Sequence, residues 1–262
     1  MTVPGKSDRA YALTSPQLMN QALEQGLVLN DLKLIKKAYQ QSEIMFDGCY
    51  RAQSMPFVCH LVRSASIVLD ERQPVAAVAA SLLHAAYLTG QFRDGCCGGA
   101  EENHRREIRN AVGEEIENLV YAYNQLPWYS ADTINIYTRD IDSMSEEKRR
   151  IIVMRLADLL EDYLDMGFVY RGKELYSEKI ESYSRAGLAL AKVLGLSRLV
   201  KELECMYELH LKTKIPMELT TGRCELYRHS EQSFFIKDTF KKIKSLIKKA
   251  KAVKQTLKRR SK

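Results

Sequence analysis

Pro74-Val75-Ala76-Ala77-Val78-Ala79-Ala80-Ser81-Leu82-Leu83-His84-Ala85-Ala86-Tyr87 is a stretch without a single charged side chain. Pro74 is suited to a first helical turn, because its fixed φ matches a helix and its missing N–H is not needed there. A helix that is apolar on every side must be buried. We therefore predict a helix from Pro74 to Tyr87 at the centre of the core, with the other elements packed around it.

Helical spacing of apolar residues continues on both sides of this stretch, whereas no alternating segment is longer than about four residues. The fold class is therefore predicted to be all-α. The expected helices begin at Ser15-Pro16 (ending near Gly26), Asn30 (ending at Asp47-Gly48), Pro56 (to Leu69), Glu101 (to Val112), Glu114 (to Tyr123), Ser145, Glu174 (to Leu194) and Ser197 (to Leu211). The domain organisation predicted is a flexible N-terminus at 1–14, one helical domain at 15–211, a linker at 212–232 and a helical tail at 233–262.

Composition is that of a globular protein, with 45% hydrophobic and 28% charged residues in 262. The first residues show no signal peptide, and no window is apolar enough to cross a bilayer, so a cytoplasmic location is expected. The six cysteines have no framework spacing and are expected to be free thiols. Cys96-Cys97 falls in the glycine-rich segment 93–99, which predicts an exposed loop; vicinal pairing or metal binding is the alternative.

The net charge of +7 is unevenly distributed, because residues 236–262 contain twelve Lys/Arg and one acid and so carry +11, leaving −4 on the rest. Apolar residues recur in this tail every three or four positions, which predicts a basic amphipathic helix. Such a helix suits an anionic membrane surface, with the protein peripheral there, or packing on the body or on a second subunit. Nucleic acid is a weaker alternative, because the few aromatic residues (Phe234, Phe235 and Phe240) precede the most basic part.

In three widely spaced groups of residues, a polar side chain stands among apolar ones. They are Arg51 with His60 nine residues later, Leu82-Leu83-His84-Ala85, and Leu156-Ala157-Asp158. In order and spacing, they resemble the HD superfamily, and most closely the (p)ppGpp-hydrolase domain of RelA/SpoT proteins, over about residues 45–211. The resemblance implies an HD-domain-like helical bundle in which His60, His84 and Asp158 converge.

The same resemblance implies a metal site at His60, His84 and Asp158, and a ligand-contacting role for Arg51. Two imidazoles and one carboxylate can hold Mn, Fe or Zn with open positions. Ala85, however, stands where the family has a metal-binding Asp, and Leu88-Thr89 replaces its catalytic acidic pair. Taken singly, each histidine is better explained as a hydrogen-bonded core or boundary residue than as a ligand, and Asp158 can be explained by an ion pair with Arg155. His104 and Glu101-Glu102 are weaker substitutes for the missing ligand.

These departures favour a catalytically degenerate HD-like protein that acts as a binding or scaffold module and holds a metal or a small anionic ligand. The alternative is a metal-dependent phosphohydrolase, acting on a nucleotide or another phosphate ester, with a rebuilt active site. We expect no useful hydrolysis, because the positioned acids of the family are absent.

Overall fold

The structure, a computed structural model, describes residues 11–171, 178–221 and 227–228. By its internal contacts the chain divides into residues 1–227 and 228–262, and the fold described here is that of the first unit. The predicted basic tail helix lies outside the described residues.

Helices make up most of the described chain, which confirms the all-α prediction. They are α1 (Ser15–Glu24), α2 (Leu29–Met45), α3 (Phe57–Asp70), α4 (Val75–Ser81), α5 (Ala86–Thr89), α6 (Glu102–Val112), α7 (Glu114–Gln125), α8 (Ala131–Asp140), α9 (Glu146–Tyr163), α10 (Gly167–Arg171), α11 (Glu178–Val193) and α12 (Ser197–Lys212). Short 3-10 turns occur at Ile141–Ser143, Leu164–Met166 and Met217–Leu219. The strands in the described residues are β1 (Cys49–Tyr50) and β2 (Tyr227–Arg228), and Tyr227 stacks on Tyr50.

The core is built around α3, α4 and α9, which pack on one another, while α2 and α7 cover α4. Residues 76–87 are all buried, as predicted from their composition. Helix α9 begins where the sequence indicates, because the Ser145 hydroxyl accepts a hydrogen bond from the Lys148 N–H at 3.3 Å and two acidic residues occupy the first turn. No helix in the described part of the chain is long and apolar enough to cross a membrane.

The predicted continuous helix from Pro74 to Tyr87 is wrong in one respect: it is interrupted at Leu82–Ala85. The N–H groups of Leu82, Leu83 and Ala86 each bond the carbonyl three residues earlier, which tightens the backbone into turns. His84 Nδ1 donates to the Ser81 carbonyl at 2.8 Å. In a continued helix, this carbonyl would accept the N–H of Ala85 instead. The interruption therefore fixes the direction of the His84 ring.

Helix α8 was not predicted. Its sequence contains only two buried apolar side chains, Ile134 and Tyr137, and several β-branched residues that are weak helix formers. It packs mainly on α11, so tertiary contacts stabilise a segment whose own pattern is weak. Two helix starts also differ by a residue or two, since Thr14 precedes α1 where Ser15 was expected as cap, and α2 begins at Leu29 rather than after Asn30.

Candidate metal centre

His60 on α3, His84 in the turn between α4 and α5, and Asp158 on α9 meet in the core. The two histidine Nε2 atoms are 3.3 Å apart, and Asp158 Oδ1 lies 3.4 Å from His60 Nε2 and 3.7 Å from His84 Nε2. The histidine side chains are 4% and 6% exposed, and Asp158 is 20% exposed. The structure thus brings together the three residues that the sequence singled out, and the cluster reaches solvent through Asp158.

Each of the three side chains is oriented by a second partner on its far side. His60 Nδ1 lies 2.6 Å from Glu161 Oε2 and 2.5 Å from Arg51 Nη1, and His84 Nδ1 donates to the Ser81 carbonyl. The Tyr123 hydroxyl donates to Asp158 Oδ2 at 2.8 Å. Because the Ser81 carbonyl can only accept, neutral His84 carries its proton on Nδ1, and its Nε2 lone pair faces Asp158 Oδ1. His60 Nδ1 faces both an acceptor, Glu161 Oε2, and a donor, Arg51 Nη1, so its contacts are compatible with either tautomer.

The electrostatics of the cluster set the protonation states of His84 and Asp158. Burial lowers the pKa of His84 to about 4, although Asp158 opposes the shift. Burial favours the neutral form of Asp158, but the nearby His84, His60 and Arg51 outweigh it and hold the pKa of that carboxyl well below its usual range. Near neutral pH the centre therefore presents a neutral His84 and an ionised Asp158.

The spacing of these atoms fits a divalent metal ion. Ligand atoms at about 2.1 Å from a tetrahedral ion are separated by about 3.4 Å, and by about 3.0 Å when the ion is octahedral. The three measured separations, 3.3 to 3.7 Å, fall closest to the tetrahedral case. Two imidazoles and one carboxylate, each held by an outer partner, form a donor set that suits Zn, Mn or Fe.

Arg51 contacts the same cluster, but its charge is already neutralised. Its Nη1 lies 2.5 Å from Glu161 Oε2, its Nη2 bonds Asp162, and its side chain is only 10% exposed. Burial alone would lower the pKa of Arg51, but the facing Asp162, Glu161 and Asp158 raise it. Arg51 therefore binds protein carboxylates in this state, and an incoming anion would have to displace them.

Glu161 and Asp162 are the site residues that the sequence reasoning did not single out. Glu161 is fully buried and serves both His60 and Arg51, and its pKa is lowered to about 2 because His60, Arg51 and Arg63 outweigh the effect of burial. The available signal was helical spacing, since residues 158, 161 and 162 fall three and four positions apart on one face of α9.

The positions of the other residues considered from the sequence show what each of them contacts. Ala85 is buried beside His84 and has no ligand atom, Leu88 is exposed, and the Thr89 hydroxyl lies 3.5 Å from the Ala85 carbonyl. Arg155 donates to the carbonyls of Tyr123 and Leu126 and stacks on the Tyr123 ring at 3.7 Å. His104 lies in a separate cluster with Asp94 and Cys96, so it does not take the missing place in this centre.

Comparison with known proteins adds a distant relationship. The family described as "Domain of unknown function (DUF6817)" matches residues 48–127, a segment that holds Arg51, His60 and His84 but not Asp158. A GTP pyrophosphokinase of Myxococcus xanthus is 26% identical over 226 residues, which cover 82% of this chain and 27% of that protein. The chain thus spans about a quarter of the length of this relative. The similarity supports a relationship at the level of the superfamily.

Proposed function

We propose that the protein is a catalytically degenerate HD-like module that binds a divalent metal ion at His60, His84 and Asp158 and uses the bound ion to hold an anionic ligand. When bound, the ion supplies a positive charge with open coordination positions. Arg51 and Glu161 position the ligand side chains.

The observation that carries the proposal is the convergence of three lone-pair atoms. His60 Nε2, His84 Nε2 and Asp158 Oδ1 lie within 3.7 Å of one another. The His84 ring proton points outward to Ser81, and His60 Nδ1 faces Glu161 and Arg51. Lone pairs that face each other in a buried site repel one another unless a cation or a proton lies between them. A divalent ion satisfies all three at once.

Binding rather than hydrolysis is supported by what surrounds the three ligands. Positions 85, 88 and 89 supply no carboxylate, and Glu161 and Asp162 are engaged by Arg51. A carboxylate held in an ion pair is a poor general base, because the ion pair keeps its proton affinity low. Loss of a positioned acid or base typically lowers a rate by about 10²–10⁴-fold.

The charge balance favours an anionic ligand once the metal is bound. Four guanidinium groups and four carboxylates surround the centre and cancel formally: Arg51, Arg63, Arg155 and Arg171 with Asp158, Glu161, Asp162 and Asp165. A divalent ion would therefore leave an excess of +2. Because the Myxococcus relative is named for an activity on GTP, guanine nucleotides are the first anions to test.

The test begins with metal content and metal affinity of the full chain for Zn, Mn and Fe. Asp158→Asn removes a ligand charge at nearly constant shape, and Asp165→Asn makes the same change at a 75% exposed carboxylate seven residues further on. We expect one bound ion in the natural protein and in Asp165→Asn, and weakened binding in Asp158→Asn. Equal affinity in all three proteins would overturn the metal assignment.

Hydrolysis is measured separately, with (p)ppGpp and ordinary nucleotides in the presence of each metal. We expect nucleotide binding without turnover. Turnover that Asp158→Asn abolishes would instead establish the metal-dependent phosphohydrolase. Ala85→Asp, which restores a carboxylate beside His84, should raise metal affinity without producing activity.

A further inference from the structure

A second group of metal-binding side chains occupies the loop between α5 and α6. Asp94, Cys96 and His104 each offer one ligand atom, and these atoms lie within 4.8 Å of one another. The loop is shaped for this arrangement, because Asp94 Oδ1 accepts the Cys96 N–H at 2.9 Å and Gly95 between them has φ +82°. This turn places the carboxylate and the thiol on the same side of the loop.

His104 is fixed with one nitrogen directed at this pair. Its ring is 4% exposed and stacks on Phe92 with centroids 3.9 Å apart. Nδ1 faces the Gly99 carbonyl at 3.2 Å and Glu101 Oε2 at 2.9 Å, both acceptors, so it carries a proton. Nε2 lies 2.8 Å from Asp94 Oδ2. In metal-bound histidines one ring nitrogen is usually held by a carboxylate or carbonyl and the other coordinates the ion. Here Nε2 is hydrogen-bonded to Asp94, so an ion would enter between these two ligand atoms.

We propose that Asp94, Cys96 and His104 form a second metal site, which binds a thiophilic divalent ion such as Zn²⁺. A thiolate, an imidazole and a carboxylate supply three of the four positions that Zn²⁺ takes, and solvent reaches the fourth because Asp94 and Cys96 are exposed. When the ion binds, the Cys96 thiol releases its proton to solvent, and so does His104 Nε2 if it is protonated; the ion takes the place of these protons. The site is independent of the proposed function and differs chemically from the core centre, which has no sulfur ligand.

The same geometry also fits a purely structural ion pair that holds no metal. Burial lowers the pKa of His104, but hydrogen bonds to Asp94 and Gly99 and the charges of Asp94 and Glu101 raise it overall. A protonated His104 then bridges the two carboxylates. The experiment must therefore distinguish a metal site from a purely structural ion pair.

Cobalt substitution makes this distinction, because only a sulfur ligand produces thiolate-to-cobalt charge-transfer absorption in the near ultraviolet. Co²⁺ is added to the reduced full chain, to Cys96→Ser and to the matched control Cys97→Ser, which alters the adjacent exposed thiol. We expect the absorption in the natural protein, in Cys97→Ser and in Asp158→Asn, and its loss in Cys96→Ser. Equal loss in both cysteine variants, or no absorption at all, would overturn the proposal.

Alkylation of the thiols provides the second measurement. With Zn²⁺ bound, Cys96 should be protected from iodoacetamide while Cys97 stays reactive, and peptide mass spectrometry reports the two separately. His104→Gln should remove the protection. Protection that persists in His104→Gln, or that is equal at the two cysteines, would show that the ring does not coordinate the ion.

Discussion

Tyr123→Phe isolates the contribution of one hydrogen-bond partner of the candidate metal centre. The substitution keeps the ring that stacks under Arg155 at 3.7 Å and packs against His84 at 5.0 Å, and deletes only the hydroxyl that donates to Asp158 at 2.8 Å. A hydrogen bond to a charged group contributes about 1.5–3 kcal/mol to stability. In a chain of this size, that corresponds to a fall in Tm of roughly 3–10 °C. Because outer partners orient the metal ligands, we also expect metal affinity to fall about 10-fold or more.

Tyr137→Phe is the matched control. Its hydroxyl is also part-buried and donates to the Pro127 carbonyl at 2.9 Å, a neutral partner outside the metal centre. It should lower stability by about 1 kcal/mol without changing metal affinity. Calorimetric titration with Zn and Mn measures affinity, and thermal unfolding with and without metal measures stability. Equal metal affinity in the two variants would refute the view that Tyr123 orients Asp158 as a ligand.

Three further predictions concern other parts of the chain. Glu117 is fully buried and pairs with Arg105 at 2.7 Å; although burial raises its pKa, the hydrogen bonds from Arg105 and Tyr87 lower it overall. Glu117→Gln should therefore lower the free energy of unfolding by about 2–3 kcal/mol near neutral pH. Because this stabilisation is lost as pH falls below the ordinary pKa of about 4.5, the difference measured by urea unfolding should shrink in acid. Gly90→Ala should lower stability by about 1–3 kcal/mol in urea unfolding, because the added methyl would lie 2.7 Å from the Ala86 carbonyl oxygen, and unchanged stability would contradict the packing around it. Truncation before Ser233 should leave the melting temperature of the body unchanged and remove salt-sensitive binding to anionic vesicles, whereas a lower melting temperature or a dissociated dimer would show that the tail packs on protein.

Most helices could be predicted because their signals are local. The Ser145 cap, the proline before α4 and apolar residues at helical spacing each act within a few positions of the chain. Helix α8 escaped prediction because its stability comes from α11, about fifty residues further along. The interruption at His84 escaped it because a side-chain hydrogen bond, rather than the composition, ends α4.

The sequence by itself determined the all-α class, the buried position of residues 76–87 and the identity of His60, His84 and Asp158 as a group, since these follow from periodicity, composition and motif order. Only the tertiary structure decided which side chains contact these three residues. The bond between Arg51 and Glu161 joins residues 110 positions apart, and the bond between Tyr123 and Asp158 spans 35. No local pattern encodes such pairs, because their energy depends on distance and burial in the folded chain, where charges leave water only with a partner. The same long-range packing brings His60 Nε2, His84 Nε2 and Asp158 Oδ1 within 3.7 Å of one another.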